Sequence, residues 1–325
     1  MDRKHLMRNA TLLLVAAFIV PAATNAQTYP AKSVRLISPY PPGSSADVIG
    51  RIYAIKLIEI FGQQFIVDNR AGAAGNIAGE IVAHAAPDGY TLLLLNTPLV
   101  SSQSLYKDLS FDVGRDFQAI AMLGFAPHLL VVNASSPVKS VQGLIALAKA
   151  RPGKLIYAST GTGGSLHLTM EMFKMQTGTD MLHVPYKGSS TTVPDLIGGR
   201  VDTMFGSIPA LLPHVRSGRI RALGVTSAKR SAVVPDLPTI AESGLPGFAS
   251  NTWITLAGPA GTPRNIVTAL NFAVAKSVQS PDTSTALANQ STEPVLMTPE
   301  QTGAFIRDEI VKWKKVLTAA GVKGE

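Results

Sequence analysis

The stretch VRLISPYPPGSSADVIG, residues 34–50, contains the pattern that decides the fold. Its apolar start, residues 34–37, predicts a buried β-strand, because a short apolar run bounded by turn residues is typical of a strand. Residues 41–45 combine proline, glycine and serine, which mark a loop. Residues 48–61 follow with a helical pattern. The stretch therefore predicts a strand, a glycine-containing loop and a helix in direct succession.

The same unit recurs along the chain. Further strands are predicted at residues 65–67, 91–95, 129–132 and 155–158, and helices are predicted at 77–86 and from residue 165 to Gln176. This alternation predicts an α/β fold with a mostly parallel sheet and helices on both faces. The plan that starts near Lys32 is repeated near Lys154, which predicts two similar domains with facing loops.

Two late helices have recognisable start signals. Thr262 before Pro263 predicts an N-cap with proline at the first helical position. Residues 298–301, with sequence TPEQ, fit a capping box at the start of the last helix. Both helices continue with apolar residues at helical spacing, so we expect them to pack on the sheet.

The amino terminus predicts a secretory signal peptide. Arg3, Lys4 and Arg8 form a positively charged region, residues 10–23 are almost wholly apolar, and small residues lead up to Ala26. The apolar run is shorter than the roughly 20 residues that span a bilayer, which disfavours a membrane anchor. We therefore expect residues 1–26 to be removed, with cleavage near Ala26.

Composition excludes several classes of protein. The chain has no cysteine, so disulfides, zinc–thiolate sites and a lipidated cysteine are ruled out. The formal charge of +8 comes from scattered basic residues, which gives no nucleic-acid footprint. Phosphate-loop, dinucleotide and zinc-protease motifs are missing, and the six histidines show no metal-ligand spacing. The sequence therefore predicts no cofactor, no metal and no nucleic-acid partner.

Three glycine-containing loops stand at predicted helix starts, at residues 41–47, 69–76 and 159–165. A helix start presents unpaired N–H donors and about half a positive charge. Glycine lets the backbone approach a ligand closely, so such loops bind anions without arginine. The alternative is that each loop only makes a tight turn between strand and helix. Taken together, the three loops favour a secreted receptor for a small anion.

Segments in these regions resemble a known family. Among them are residues 40–47, 67–77 and 87–92 in the first half, and residues 157–168, 183–188 and 235–239 in the second. By their order and spacing, the chain is similar to the Bug-type solute receptors of tripartite tricarboxylate transporters over essentially the whole length after the signal peptide.

The resemblance implies the type II periplasmic binding fold, in which two α/β lobes joined by two crossing strands close on a ligand. Lobe 1 would contain residues 27–126, lobe 2 residues 127–248, and residues 249–325 would return to lobe 1. The implied ligand is a small carboxylate: a di- or tricarboxylate, an acidic amino acid or an aromatic acid. The implied partners are membrane transporter subunits, the implied location is the periplasm, and the expected oligomeric state is a monomer.

The resemblance also implies ligand-binding positions in both lobes. In lobe 1 they are Tyr40, Gly43, Ser44, Ser45, Ala73 and Asn76. In lobe 2 they are Ser159, Thr160, Thr162, Ser165 and Tyr186. His167 and His183 are expected to be structural.

Three positions depart from the family pattern. Ser44 stands where a second glycine is common, Gly164 where threonine is often found, and Gly206 where an acidic residue is often found. The two glycines remove side chains near the expected cleft, which predicts a roomier or altered distal pocket.

Two other functions stay open at this point. The same receptor could bind a membrane signalling partner and act as a carboxylate sensor. A hydrolase would need a site assembled from distant residues, for instance Ser159, His167 and Asp202. Because no nucleophile motif is present, we expect the chain not to be an enzyme.

Overall fold

The structure is a computed structural model that describes residues 29–106, 108–186 and 188–322. The predicted signal peptide lies outside the described residues. Within them, no helix combines the length and apolar character needed to cross a membrane. The elements follow the predicted alternation of strand and helix.

The described chain contains strands at these positions: β1 (Val34–Ser38), β2 (Phe65–Asn69), β3 (Thr91–Asn96), β4 (Phe117–Asn133), β5 (Ile156–Ser159), β6 (Leu182–Pro185), β7 (Thr203–Ser207), β8 (Ile220–Val225) and β9 (Asn251–Pro259).

Its helices are α1 (Ser45–Phe61), α2 (Asn76–Ala83), α3 (Thr97–Leu105), α4 (Val113–Asp116), α5 (Val141–Ala150), α6 (Ser165–Thr177), α7 (Ser189–Ile197), α8 (Ile208–Arg216), α9 (Arg264–Ser277), α10 (Pro281–Asn289) and α11 (Pro299–Ala320). A short 3₁₀ turn, Ala73–Gly75, precedes α2.

The strands form two sheets that share β4. In the first sheet the order is β2-β1-β3-β9-β4, with β1, β2 and β3 parallel and β9 antiparallel to both β3 and β4. In the second sheet the later part of β4 lies between β8 and β7, followed by β5 and β6. The two crossing strands, β4 and β9, therefore connect one lobe to the other.

Apolar burial explains why these strands form. Val34, Leu36 and Ile37 in β1, and the run Leu92–Leu95 in β3, are almost completely buried. Helices cover both faces of a parallel sheet, so its strands have near-continuous apolar sequences rather than alternating ones. Helix α11 packs against α3, α6 and β4, and thus contacts elements from both lobes.

The helix starts confirm one capping prediction and correct another. At α11, Thr298 and Gln301 form the predicted capping box. At α9, the N-cap is Pro263 and not Thr262. The Thr262 hydroxyl instead donates to the Pro259 carbonyl at 2.7 Å, which ties it to the preceding turn.

Candidate functional site: a cleft surrounded by helix starts

A cavity of about 510 Å³ lies between the two lobes. Its walls come from the first loop, from α3, from the two crossing strands and from the starts of three helices of the second lobe. The lining residues are Tyr40, Pro41, Ser44, Ser45, Ala46, Asn96, Pro98, His128, Thr160, Gly164, Ser165, Leu166, Ser189, Ser207, Thr252 and Ile254.

Five helices begin at this cavity. Helices α1 and α3 start on the lobe 1 side, and α6, α7 and α8 start on the lobe 2 side. Each start leaves backbone N–H groups without a partner inside the helix and carries about half a positive charge. The cavity is therefore surrounded by hydrogen-bond donors that favour an anion.

No lining side chain among the described residues is an aspartate, glutamate, lysine or arginine. The same part of the chain holds no group of three or more histidine, cysteine, aspartate or glutamate side chains arranged for a metal ion. The positive potential of the cavity thus comes from backbone dipoles. A carboxylate is ionised at neutral pH and would find donors here without a permanent counter-ion.

The first loop is held in place by Asp47, a buried residue in the first turn of α1. Its carboxylate accepts hydrogen bonds from the Gly43 amide at 2.9 Å, from Arg51 Nε at 3.0 Å and from Asn69 Nδ2 at 2.9 Å. Burial acts to raise the pKa of Asp47, but these three donors outweigh it and hold the pKa below its ordinary value. The loop is therefore anchored by an ionised carboxylate.

This anchoring changes which lobe 1 amides can meet a ligand. The Gly43 amide is occupied by Asp47, and the Ser44 side chain accepts a 3.4 Å bond from the Asp47 amide as the N-cap of α1. In the described residues, the backbone hydrogen bonds leave the Ser45 and Ala46 amides without an acceptor. These two amides are the donors that the first loop presents.

Helix α3 adds a second start in lobe 1, with Asn96 as its N-cap. The Asn96 side chain accepts a bond from the Leu99 amide at 3.4 Å. Beside it, the Tyr40 hydroxyl is buried without a hydrogen-bond partner in the described part of the chain. Burial raises the pKa of Tyr40, while the neighbouring Asn96 side chain opposes the shift, so the phenol stays neutral.

In lobe 2, the loop before α6 is held by two histidines instead of a carboxylate. The Gly163 amide donates to His167 Nδ1 at 3.1 Å, and the Ser159 hydroxyl lies 2.7 Å from His183 Nε2. The two imidazoles stack with their centroids 4.1 Å apart, and His183 also stacks on Tyr157. Burial is the main cause that lowers the pKa of each histidine to about 4.

The three lobe 2 helix starts have no side-chain cap. The N-caps are Gly164 for α6, Gly188 for α7 and Ser207 for α8, and within residues 29–106, 108–186 and 188–322 no side chain accepts from the first-turn amides of these helices. In lobe 1, by contrast, the Ser44 and Asn96 side chains each take up one first-turn amide. Lobe 2 therefore offers more free donors at the cavity than lobe 1.

Five of the eleven candidate ligand-binding residues line the cavity: Tyr40, Ser44, Ser45, Thr160 and Ser165. The other six, Gly43, Ala73, Asn76, Ser159, Thr162 and Tyr186, do not line it.

The residues outside the lining have other partners in the protein. The Asn76 side chain accepts a 2.6 Å bond from the Ser102 hydroxyl, and the Tyr186 hydroxyl donates to Asp195 at 2.7 Å. Ala73 is exposed and has a left-handed φ of 46° beside Ala74 at 56°, so the backbone of this second loop is strained. Ser159, the first residue of the third loop, is wholly buried.

Sequence reasoning missed the starts of α3, α7 and α8, and also His128 and Thr252 in the crossing strands. A local signal existed for two of the helices, because residues 96–98 (NTP) and 207–209 (SIP) place a capping residue just before a first-turn proline. The two crossing-strand residues carry no local signal, because only the pairing of β4 with β9 brings them to the cavity.

The two glycine departures differ in their surroundings. Gly164 lines the cavity, and a Cβ there would lie 3.3 Å from the Gly161 carbonyl. At Gly206 a Cβ would lie 2.5 Å from Leu211 Cδ1, so the fully buried Leu211 fills the place of the missing side chain. Leu211 thus fills the space that a roomier pocket would need at Gly206, whereas an altered pocket and the effect of Gly164 stay predictions.

The three residues considered for a hydrolase, Ser159, His167 and Asp202, do not hydrogen-bond to one another as a catalytic triad would. The Ser159 hydroxyl contacts His183, whereas His167 Nδ1 accepts from the Gly163 amide. The Asp202 carboxylate accepts a 2.7 Å bond from the Ile156 amide, at the start of β5.

Residues 49–322 match the family described as "Tripartite tricarboxylate transporter family receptor". The chain belongs to this family. It is 40% identical to protein BugT of Bordetella pertussis over 96% of both chains. The recognition of a Bug-type receptor from the sequence is thereby confirmed.

Solved structures of relatives have the same fold. The R. palustris protein Rpa4515, solved with adipate, is 38% identical with a TM-score of 0.79, and the match covers 91% of this receptor and all of that chain. MatC from Rhodopseudomonas palustris, solved with malate, is 29% identical with a TM-score of 0.75, over 89% of this receptor and all of MatC. These likenesses confirm the predicted type II periplasmic binding fold, with two α/β lobes and two crossing strands.

Proposed function

We propose that this protein is a periplasmic receptor that binds a small carboxylate in its cleft and delivers it to a tripartite tricarboxylate transporter. The observation that carries the proposal is the convergence of five helix starts on one cavity without a charged side chain in its described lining. Two relatives of the same fold were solved with the dicarboxylates adipate and malate, which supports the same class of ligand here.

The proposed site uses backbone donors from both lobes. In lobe 1 the donors are the Ser45 and Ala46 amides, with the Ser44 and Tyr40 hydroxyls beside them. In lobe 2 they are the first-turn amides of α6, α7 and α8, together with the Thr160 and Ser165 hydroxyls. Four or five charge-assisted hydrogen bonds of about 1.5–3 kcal/mol each, less the entropy of capture, support micromolar affinity.

Closure of the lobes is the proposed step between binding and delivery. A ligand that contacts both walls binds the closed form better than the open form, and therefore shifts the equilibrium towards closure. We propose residues 27–126 and 249–325 for lobe 1 and residues 127–248 for lobe 2. We also propose secretion with cleavage near Ala26, a monomeric state, and recognition of the closed form by the membrane subunits.

A thermal-shift screen tests the proposal. Adipate, malate and related dicarboxylates are compared with hexanoate, neutral sugars and divalent cations at matched ionic strength. We expect stabilisation by at least one carboxylate, because ligand binding to the folded state raises its stability. Stabilisation by sugars or cations alone would reject the proposal.

A further inference from the structure

His128 lies where the crossing strand β4 changes partners. The residues before it, Phe125–Pro127, pair with β9, whereas His128 itself pairs with Ser207 in β7. Its amide donates to the Thr226 hydroxyl at 2.8 Å, and its carbonyl accepts from the Thr226 amide at 3.0 Å. The backbone of His128 is thus fixed to lobe 2.

The imidazole of His128 reaches the other crossing strand. Its Nε2 lies 2.9 Å from the Thr252 hydroxyl in β9, opposite Ala126. Both His128 and Thr252 line the cavity, and the histidine is only 2% exposed. One side chain therefore connects the lobe 2 sheet to the strand that returns to lobe 1, at the wall of the cleft.

Thr169 connects the same ring to helix α6. Its Oγ1 lies 2.7 Å from the Ser165 carbonyl, 2.7 Å from the Ser250 hydroxyl and 3.5 Å from His128 Nδ1. A carbonyl can only accept, so the single hydroxyl proton of Thr169 points to Ser165. A hydrogen bond between His128 Nδ1 and Thr169 therefore requires the proton on Nδ1, and that tautomer leaves Nε2 to accept from Thr252.

We propose that His128 is the positioning residue of the cleft. Its neutral ring joins β9 to α6 through Thr252 and Thr169, and thereby sets the angle at which the start of α6 faces lobe 1. Burial lowers the pKa of His128 to about 4, which agrees with a neutral ring in this position. The inference rests on the two-lobed cleft and does not depend on which ligand binds.

The distance between the lobes tests this proposal without a ligand. The chain has no cysteine, so two introduced cysteines can be spin-labelled selectively. Glu59→Cys in α1 and Arg216→Cys in α8 are exposed positions in the two lobes. Pulsed electron paramagnetic resonance then gives the distribution of distances between the labels in the full receptor.

His128→Leu removes both side-chain contacts, and we expect the distance distribution to become about twofold wider or its mean to shift. Thr252→Val should reproduce the change, and the combined variant should be no wider than either one alone because both remove the same link. His128→Gln keeps an amide within reach of Thr252 and should restore the wild-type distribution.

Thr203→Val is the matched control. The Thr203 hydroxyl donates to the Val131 carbonyl at 2.9 Å, and Thr203 is wholly buried whereas Thr252 is partly buried, but Thr203 and Val131 both lie within the lobe 2 sheet. It should lower the melting temperature without changing the distance between the lobes. Any of three results would overturn the proposal. The distance distribution could stay unchanged in Thr252→Val, it could change equally in Thr203→Val, or it could differ from wild type in His128→Gln. Should His128→Leu fail to fold, Thr252→Val decides the test.

Discussion

The two walls of the cleft hold their glycine-containing loops in place with different side-chain chemistry. In lobe 1, the ionised carboxylate of Asp47 holds the first loop, and the Ser44 and Asn96 side chains cap α1 and α3. In lobe 2, neutral histidines hold the third loop, and among the residues that the structure describes no side chain caps the starts of α6, α7 and α8. In lobe 1, therefore, more of the backbone amides at the cavity are already hydrogen-bonded within the protein, and lobe 2 keeps more donors free for a ligand.

The largest expected effect of this difference is on the pH dependence of stability. A histidine in an unfolded chain has a pKa near 6.5, whereas burial lowers the pKa of His167 and His183 to about 4. Between these values the unfolded chain binds protons that the folded chain does not. The stability is therefore complete above about pH 6.5 and falls as the pH falls towards 4.

Two such groups contribute a slope of up to about 2.7 kcal/mol per pH unit to the free energy of unfolding. Denaturant unfolding between pH 6.5 and 4 measures the slope. A double variant with His167→Asn and His183→Gln should lose that contribution and keep the parts due to carboxylates and to His128, whose pKa burial also lowers to about 4. Equal slopes in the two proteins would show that lobe 2 does not depend on neutral imidazoles.

The next effect is expected in lobe 1. Asp47→Ala removes three hydrogen bonds to a carboxylate and leaves the Gly43 amide without its acceptor, while the Asn69 side chain keeps its bond to the Tyr40 carbonyl. Arg51 is half exposed and can turn to water, so we expect a loss of about 2–3 kcal/mol in the free energy of unfolding.

Glu59→Gln is the matched control for Asp47→Ala. It breaks the surface ion pair with Lys56 in the same helix and should cost less than about 1 kcal/mol. Comparable losses in the two variants would mean that Asp47 is only another surface charge.

A smaller loss of stability is expected when His167, which holds the third loop in lobe 2, is replaced. His167→Leu leaves the buried Gly163 amide without an acceptor, which we expect to cost about 1–3 kcal/mol in the free energy of unfolding. His167→Asn offers a side-chain oxygen near the place of Nδ1 and should recover part of the loss. If both variants are equally unstable, the packing of the ring matters and the hydrogen bond does not.

The smallest effects concern the caps themselves. Gly164→Ser adds a hydroxyl to an N-cap with extended φ and ψ of −70° and 159°, and should stabilise α6 by a few tenths of a kcal/mol. The new cap occupies an amide that the ligand would use, so we expect weaker binding of the carboxylate found in the screen. Ser44→Gly in lobe 1 removes the side-chain cap of α1, so it should destabilise that helix slightly and strengthen binding of the carboxylate. Isothermal calorimetry of both variants measures the affinities, and changes of the same sign would contradict the comparison.

The sequence was sufficient for the fold and for part of the site because both depend on local patterns. The strand, proline–glycine loop and helix of residues 34–61 are visible in the sequence, and Ser44 and Ser45, which the family resemblance named as ligand-binding, line the cavity. The sequence did not reveal the side-chain contacts that occupy three of the named positions. The Asp47 carboxylate accepts a hydrogen bond from the Gly43 amide, and the Ser102 hydroxyl donates one to the Asn76 side chain. Leu211 fills the space beside Gly206. No spacing in the sequence reports these partners.

The central claim is that backbone amides at helix starts of both lobes bind the anion. Amide NMR of the isotopically labelled receptor tests it directly, by titration with adipate and with the carboxylate that gives the largest thermal shift. We predict that the Ser45, Ala46, Ser165, Leu166 and Ser189 amides show the largest changes in chemical shift. Unmoved amides at these positions, with changes confined to arginine and lysine residues on the surface, would contradict the account.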